Sequence, residues 1–288
     1  MPDVHDLPHA LVVPAAGYAL ALVAAVLGLT CLARARSAGT GSRRVRWLIN
    51  AAFAIGGGTW LMHFTTMLGF TLPDSPVRYD VRTTAASAGV AVALVWFGLA
   101  FAGGRRRSLT RVLLSGLITG TALAATHAAA LAALRVAGSI RYDPWIAAAA
   151  VLGSVVGTTV ALAASVLARR RRGLVAAGAL LALVMCGTHY GGLAALRIEL
   201  RPDSGPVAGV DPLTLTLPIV VIVTVALVAL VFSALQTVTE EDFGQPAPPR
   251  RPPVVPSPEP HPVSLAAFSA TVPVPLSSTV TTHEAPRR

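Results

Sequence analysis

The chain contains no lysine; all 23 of its basic residues are arginine. That excludes chemistry that runs through a lysine Schiff base, a retinal pigment or a pyridoxal enzyme among them. Charge of either sign is scarce, at 12% of the residues, where a soluble domain carries about 25%. Cys31 and Cys186 are too few for a disulfide framework. They fall at different depths of the apolar runs described below, so they are not expected to pair. No phosphate-binding glycine loop, nucleophile elbow or zinc-protease signature occurs. No acid falls inside an apolar run, which excludes a carboxylate proton relay and leaves no acid–base pair for turnover. The chain is accordingly read as a non-enzyme. Met1 to Ala10 holds Asp3 and Asp6 but no arginine. A signal peptide's basic start is therefore missing, and the first apolar run is expected to stay in the mature protein.

What the chain has in quantity is apolar sequence, 54% of it, with a mean hydropathy of +0.66. Seven runs reach the roughly 17–25 residues that a spanning helix needs: 11–33, 47–70, 83–103, 112–136, 145–168, 173–196 and 213–236. Each is far longer than a strand and lacks strict alternation. A helix also satisfies its own backbone hydrogen bonds in lipid. The expected fold is an all-α membrane protein with seven transmembrane helices.

Arginine sets the expected orientation. Arg34, Arg36, Arg43, Arg44, Arg46, Arg105, Arg106, Arg107, Arg111 and Arg169 to Arg172 lie after the first, third and fifth runs. The alternate loops hold fewer arginines and carry Asp74, Asp80, Asp143, Glu199, Asp203 and Asp211. Excess positive charge stays cytoplasmic. The N-terminus is thus expected outside and the C-terminus inside a multi-pass cell (inner or plasma) membrane. The net charge of +10 is spent on these short clusters, so the partner expected is a lipid bilayer and not nucleic acid. Beyond Gln236 the composition changes, with twelve of the 22 prolines in residues 237–288. That stretch is expected to be a disordered cytoplasmic tail.

Three histidines fall inside apolar runs, and they are evenly spaced. His63 lies in Thr59-Trp60-Leu61-Met62-His63-Phe64-Thr65-Thr66-Met67, His127 in Thr126-His127-Ala128, and His189 in Thr188-His189-Tyr190. The spacing extends to the loops, where Arg78-Tyr79-Asp80 returns as Arg141-Tyr142-Asp143 and Asp143-Pro144 as Asp211-Pro212. Spans two to seven therefore read as three repeated helix pairs, preceded by an extra helix with its arginine-rich loop. The expected domains are 1–46, 47–236 and the tail 237–288. Each histidine lies about seven residues before the outer end of its run, which places all three roughly 10 Å below the outer interface. An imidazole at that depth marks a functional position by default. Helical spacing adds Met67, Trp60 and Thr59 to the His63 face, and Met185 and Cys186 to the His189 face. Three imidazoles with soft sulfur nearby suit copper, while zinc and haem iron stay open on ligand type.

The stretch Trp60-x-Met62-His63-Phe64-Thr65-x-Met67, followed by Leu-Pro and Tyr-Asp, resembles the first repeat of the MHYT family of bacterial integral membrane sensors. The resemblance covers residues 47–236. It implies copper bound near the outer face and a diatomic gas, oxygen, carbon monoxide or nitric oxide, as the signal. Matched position by position, it assigns His63, His127 and His189 as metal ligands, with Met62 and Met67 as the motif methionines. Thr126 and Thr188 stand where the first methionine is usual, and Leu131 and Leu193 where the later one is. Family members often carry a cytoplasmic output domain. Here output is expected through a separate cytoplasmic or membrane signalling partner. Two other readings of the histidine layer stand beside this one: the lining of a small transporter or channel, and a structural set that only bonds neighbouring helices.

Overall fold

The computed structural model describes residues 7–38, 41–67, 70–73, 75–102, 108–168, 170–201 and 206–215, with scattered residues from 217 to 228. The chain divides into two units, Met1–Asp242 and Phe243–Arg288. The tail expected over 237–288 lies outside the described residues.

The first unit is helical: α1 (Leu7–Ser37), α2 (Ser42–Ala52), a π-helical turn (Phe53–Gly57), α3 (Gly58–Met67), α4 (Val81–Ala102), α5 (Leu109–Leu131), α6 (Pro144–Leu167) and α7 (Arg171–Ala194). Five of these, α1, α4, α5, α6 and α7, are long and apolar enough to cross a membrane. The run expected over 47–70 starts earlier, at Ser42. It is divided into α2 and α3 by the π turn and is helical to Met67, beyond which residues 68 and 69 lie outside the description. For the run expected over 213–236, the described residues from 212 to 228 are helical and the rest lie outside the description.

The faces are sorted as lipid requires. Helix α6 buries Ser154, Thr158 and Ser165 and exposes Leu152, Val156 and Val160. An apolar outward face, with Ala161 and Leu162 buried beside these hydroxyls, is the reverse of a soluble helix's exterior. Lipid tails are as apolar as leucine, so helix association rests on close packing and interhelical hydrogen bonds. Both are present. Ser115 Oγ donates to Gly98 O on α4 (2.9 Å), and Ser154 Oγ donates to Gly120 O on α5 (2.8 Å). Such bonds contribute about 0.6–2 kcal/mol each in membranes.

Neighbour follows neighbour around a closed ring: α1 touches α2 and α3, α2 touches α4, α4 touches α5, α5 touches α6, α6 touches α7, and α7 returns to α1. Helices α3, α5 and α7 also touch one another. These are the three that carry the histidines.

Short strands close one end of the ring, where helices alone were expected. Strand β1 (Arg78–Tyr79) pairs antiparallel with β2 (Leu134–Arg135), and β3 (Gly138–Tyr142) with β4 (Leu196–Leu200). The two pairs do the same job. Asp80 N–H donates to Ala133 O (2.9 Å) and Asp143 N–H to Ala195 O (2.8 Å). Each acceptor lies six residues past a histidine, so the loop leaving one histidine helix is tied to the end of the next. At the opposite end arginine satisfies helix carbonyls: Arg44 Nη2 donates to Ala100 O on α4 (3.1 Å) and Arg36 Nη2 to Ser165 O on α6 (3.4 Å). Positive charge at a helix C-terminus is favourable.

Candidate metal centre

His63, His127 and His189 meet in one place. Their ring centroids are 5.0 Å (63–127), 5.1 Å (63–189) and 5.1 Å (127–189) apart, a near-equilateral triangle of rings set edge to face. All three side chains are buried, at 1%, 6% and 1% exposure. His63 Nδ1 lies 3.1 Å from His127 Nδ1 and 3.2 Å from His189 Nδ1. The histidines stand four, four and five residues from the last residues of α3, α5 and α7. That is about 6–8 Å of helix rise.

One nitrogen from each ring can be chosen so that all lie within 4.8 Å of one another, a grouping that could hold a metal ion. Three nitrogens on one ion at about 2.0 Å, with angles near tetrahedral or trigonal, sit about 3.3–3.5 Å apart. The Nδ1 separations of 3.1 and 3.2 Å are close to that spacing. Imidazole suits copper, zinc, iron or nickel and does not suit magnesium or calcium. The donor set therefore fits a transition metal.

The outer edges of the rings differ. His189 Nε2 is 2.8 Å from Thr66 Oγ1. Among the described residues, His63 Nε2 and His127 Nε2 have no hydrogen-bond partner. A Cβ placed on Gly192 would collide with His127 Nε2 and Cδ2, so only glycine leaves that ring its room. Phe64 lies against His63 with centroids 5.0 Å apart, and Trp60 lies against Phe64 at 4.7 Å. The Trp60 indole N–H is held by Ser87 Oγ at 2.8 Å.

The two methionines matched to the motif sit in separate apolar clusters. Met62 belongs to the cluster that contains Ala21, Ala25, Leu29 and Ile55, and Met67 to the cluster that contains Trp60, Phe64, Tyr79 and Leu131. Cys31 and Cys186 are both free. Thr66, and the contact of Gly192 with His127, were not evident from sequence. The available signal was the position of each residue three places after a histidine, on the same helical face.

The loop acids serve the helix ends. Asp143 Oδ1 accepts from Trp145 N–H (3.1 Å) and Ile146 N–H (3.2 Å) at the start of α6, while Arg197 stands 3.6 Å from its other oxygen. Asp80 Oδ1 accepts from Thr83 N–H (2.8 Å), with Arg135 at 3.9 Å. The Thr83 hydrogen bond holds the Asp80 carboxyl below its ordinary value, with Arg135 and Arg82 assisting. Burial pushes the neighbouring Tyr79 phenol up, which keeps it protonated.

A ring of helices with apolar exteriors around three buried, converging imidazoles defines a polytopic membrane protein with a candidate transition-metal centre. Residues 56–115 and 120–178 match the family described as MHYT, bacterial signalling protein N terminal repeat. The chain thus carries two stretches that match this repeat. It is 35% identical over 196 residues to the bifunctional diguanylate cyclase/cyclic di-GMP phosphodiesterase MucR of Pseudomonas aeruginosa, covering 66% of this chain and 28% of that protein. It is 32% identical over 186 residues to the cyclic di-GMP phosphodiesterase NbdA of the same organism, covering 62% of this chain and 24% of that protein. An uncharacterized signaling protein of Caulobacter vibrioides is 30% identical over 162 residues, covering 56% of this chain and 19% of that one. The chain thus matches about a quarter of the length of the first two relatives, whose enzyme names describe the whole of each. No solved structure matches.

Proposed function

We propose that this chain is an integral membrane sensor that binds copper through His63, His127 and His189 near the outer face. The signal is a diatomic gas (oxygen, carbon monoxide or nitric oxide) or a redox change, and a separate cytoplasmic or membrane partner reads it. The observation that carries this reading is the convergence of three buried imidazoles with Nδ1 atoms 3.1 and 3.2 Å apart. Copper, when bound, supplies a soft centre able to take a diatomic ligand. Met62 and Met67, the methionines matched to the motif, are the sulfur ligands proposed with the three histidines. The topology proposed with it has seven spans, the N-terminus outside and the C-terminus inside, with spans two to seven forming three helix pairs over 47–236.

The chain's own residues would carry the signal inward. The histidine helices touch one another, so a change in ring spacing is shared by all three. Helix α3 continues through the π turn Phe53–Gly57 into α2, which starts beside Arg43 and Arg44. A π turn holds one residue more than regular helix and is a frequent feature of functional sites. Relatives named for cyclic di-GMP enzymes support a signalling setting of that kind for the partner.

The test is metal analysis of the purified full chain after copper loading and removal of excess. About one copper per chain, lost in the His63→Ala/His127→Ala/His189→Ala variant, supports the reading. A metal-free protein after loading contradicts it.

A further inference from the structure

The position three residues after each histidine is Thr66 on α3, Ala130 on α5 and Gly192 on α7. Two of these meet the outer edge of another helix's ring: Thr66 faces His189 Nε2 and Gly192 faces His127 Nε2. Only Thr66 brings a polar atom. Its hydroxyl also lies 2.9 Å from Met62 O and 2.8 Å from His63 O. A helical threonine's single proton goes to such carbonyls, which leaves its oxygen as an acceptor toward His189. His189 Nε2 is then the N–H donor, and its Nδ1 holds a lone pair aimed at His63 Nδ1, 3.2 Å away. Thr66 is itself fixed from α1, since a Cβ on Gly17 would come within 2.5 Å of its methyl carbon. Among the described residues, Thr65, the threonine of the motif, has no hydrogen-bond partner for its hydroxyl.

We propose that Thr66 is a positioning residue. Its hydrogen bond holds His189 as the Nε2–H tautomer, with Nδ1 presented to the cluster, while among the described residues the Nε2 atoms of His63 and His127 have no hydrogen-bond partner. The three imidazoles are therefore unequal: one anchored through its far nitrogen and two that are not. The consequence for copper rests on the sensor reading above; the tautomer does not. A hydrogen bond to the far nitrogen of a ligating histidine sets ring orientation and tautomer, and its loss typically lowers metal affinity about 10–100-fold.

The experiment is nitrogen NMR of the metal-free full chain labelled at histidine, with the His189 signals assigned by their absence in His189→Ala. Wild type is expected to show Nε2 protonated and Nδ1 bare on His189. Thr66→Val should abolish that preference and Thr66→Ser should restore it. Gly17→Ala, which crowds Thr66 from another helix, should weaken it as well and serves if the valine variant fails to fold. A His189 protonated on Nδ1 in wild type, or an unchanged tautomer in Thr66→Val or Gly17→Ala, overturns the proposal. With copper, Thr66→Val is expected to bind at least tenfold more weakly than Thr66→Ser. Equal affinities overturn the anchoring role. Absence of copper binding in every variant overturns the sensor reading, and the tautomer result then judges Thr66 alone.

Discussion

Gly192 of α7 lies against the Nε2 edge of His127 on α5, so close that a single added methyl group would overlap the ring. A position three residues past one histidine therefore decides the space available to another. Gly192→Ala should displace His127 and lower copper affinity by about tenfold or more, in the range typical of disturbed ligand support. Overpacking should also cost about 1–3 kcal/mol. Gly187→Ala, on the same helix with nothing within 4 Å of its added Cβ, should leave both unchanged. Competition titration with a copper chelator and thermal melting in detergent separate the two variants.

Asp143 holds the start of α6 through two backbone N–H groups, whereas its ion pair with Arg197 is half in solvent. Asp143→Ala should lower stability by about 0.5–2 kcal/mol through loss of the cap. Arg197→Ala should cost less than about 1 kcal/mol. Denaturation of the two variants side by side checks the order, which would reverse if the ion pair were the main contribution.

Asp80 gives a pH dependence of defined sign. Its carboxyl is held below the ordinary value of 3.8, so its charged form is favoured by folding. That stability is fully present above the ordinary value and is lost as pH falls through the lower folded one. Thermal midpoints measured from pH 5 downward should fall more steeply for wild type than for Asp80→Asn, which keeps a capping oxygen but does not titrate. Identical slopes would remove Asp80 from the account.

The helices and the histidine cluster could be read from the sequence because both are written in spacing. Apolar runs of membrane length leave little choice of structure, and three histidines at even intervals fall at matching heights on parallel helices. Height is all that spacing supplies. Whether Thr65 or Thr66 faces His189 depends on how α3 is rotated against α7, and adjacent positions differ by about 100°. The role of Gly192 was hidden for the same reason, since the residue it spares belongs to another helix. The π turn Phe53–Gly57 left no mark in a stretch of small and apolar residues. The strands Arg78–Tyr79 and Leu134–Arg135, at two residues each, are too short for alternation to register. Asp80 and Asp143 were legible as acids near helix starts, and they do bond those ends.

X-ray absorption at the copper edge of the loaded full chain tests the central claim most directly. The account predicts a first shell containing three imidazole nitrogens at about 2.0 Å, falling to two with weaker retention when any one of His63, His127 or His189 is replaced by alanine. A shell without imidazole scattering, or one that is unchanged in all three single variants, would contradict it.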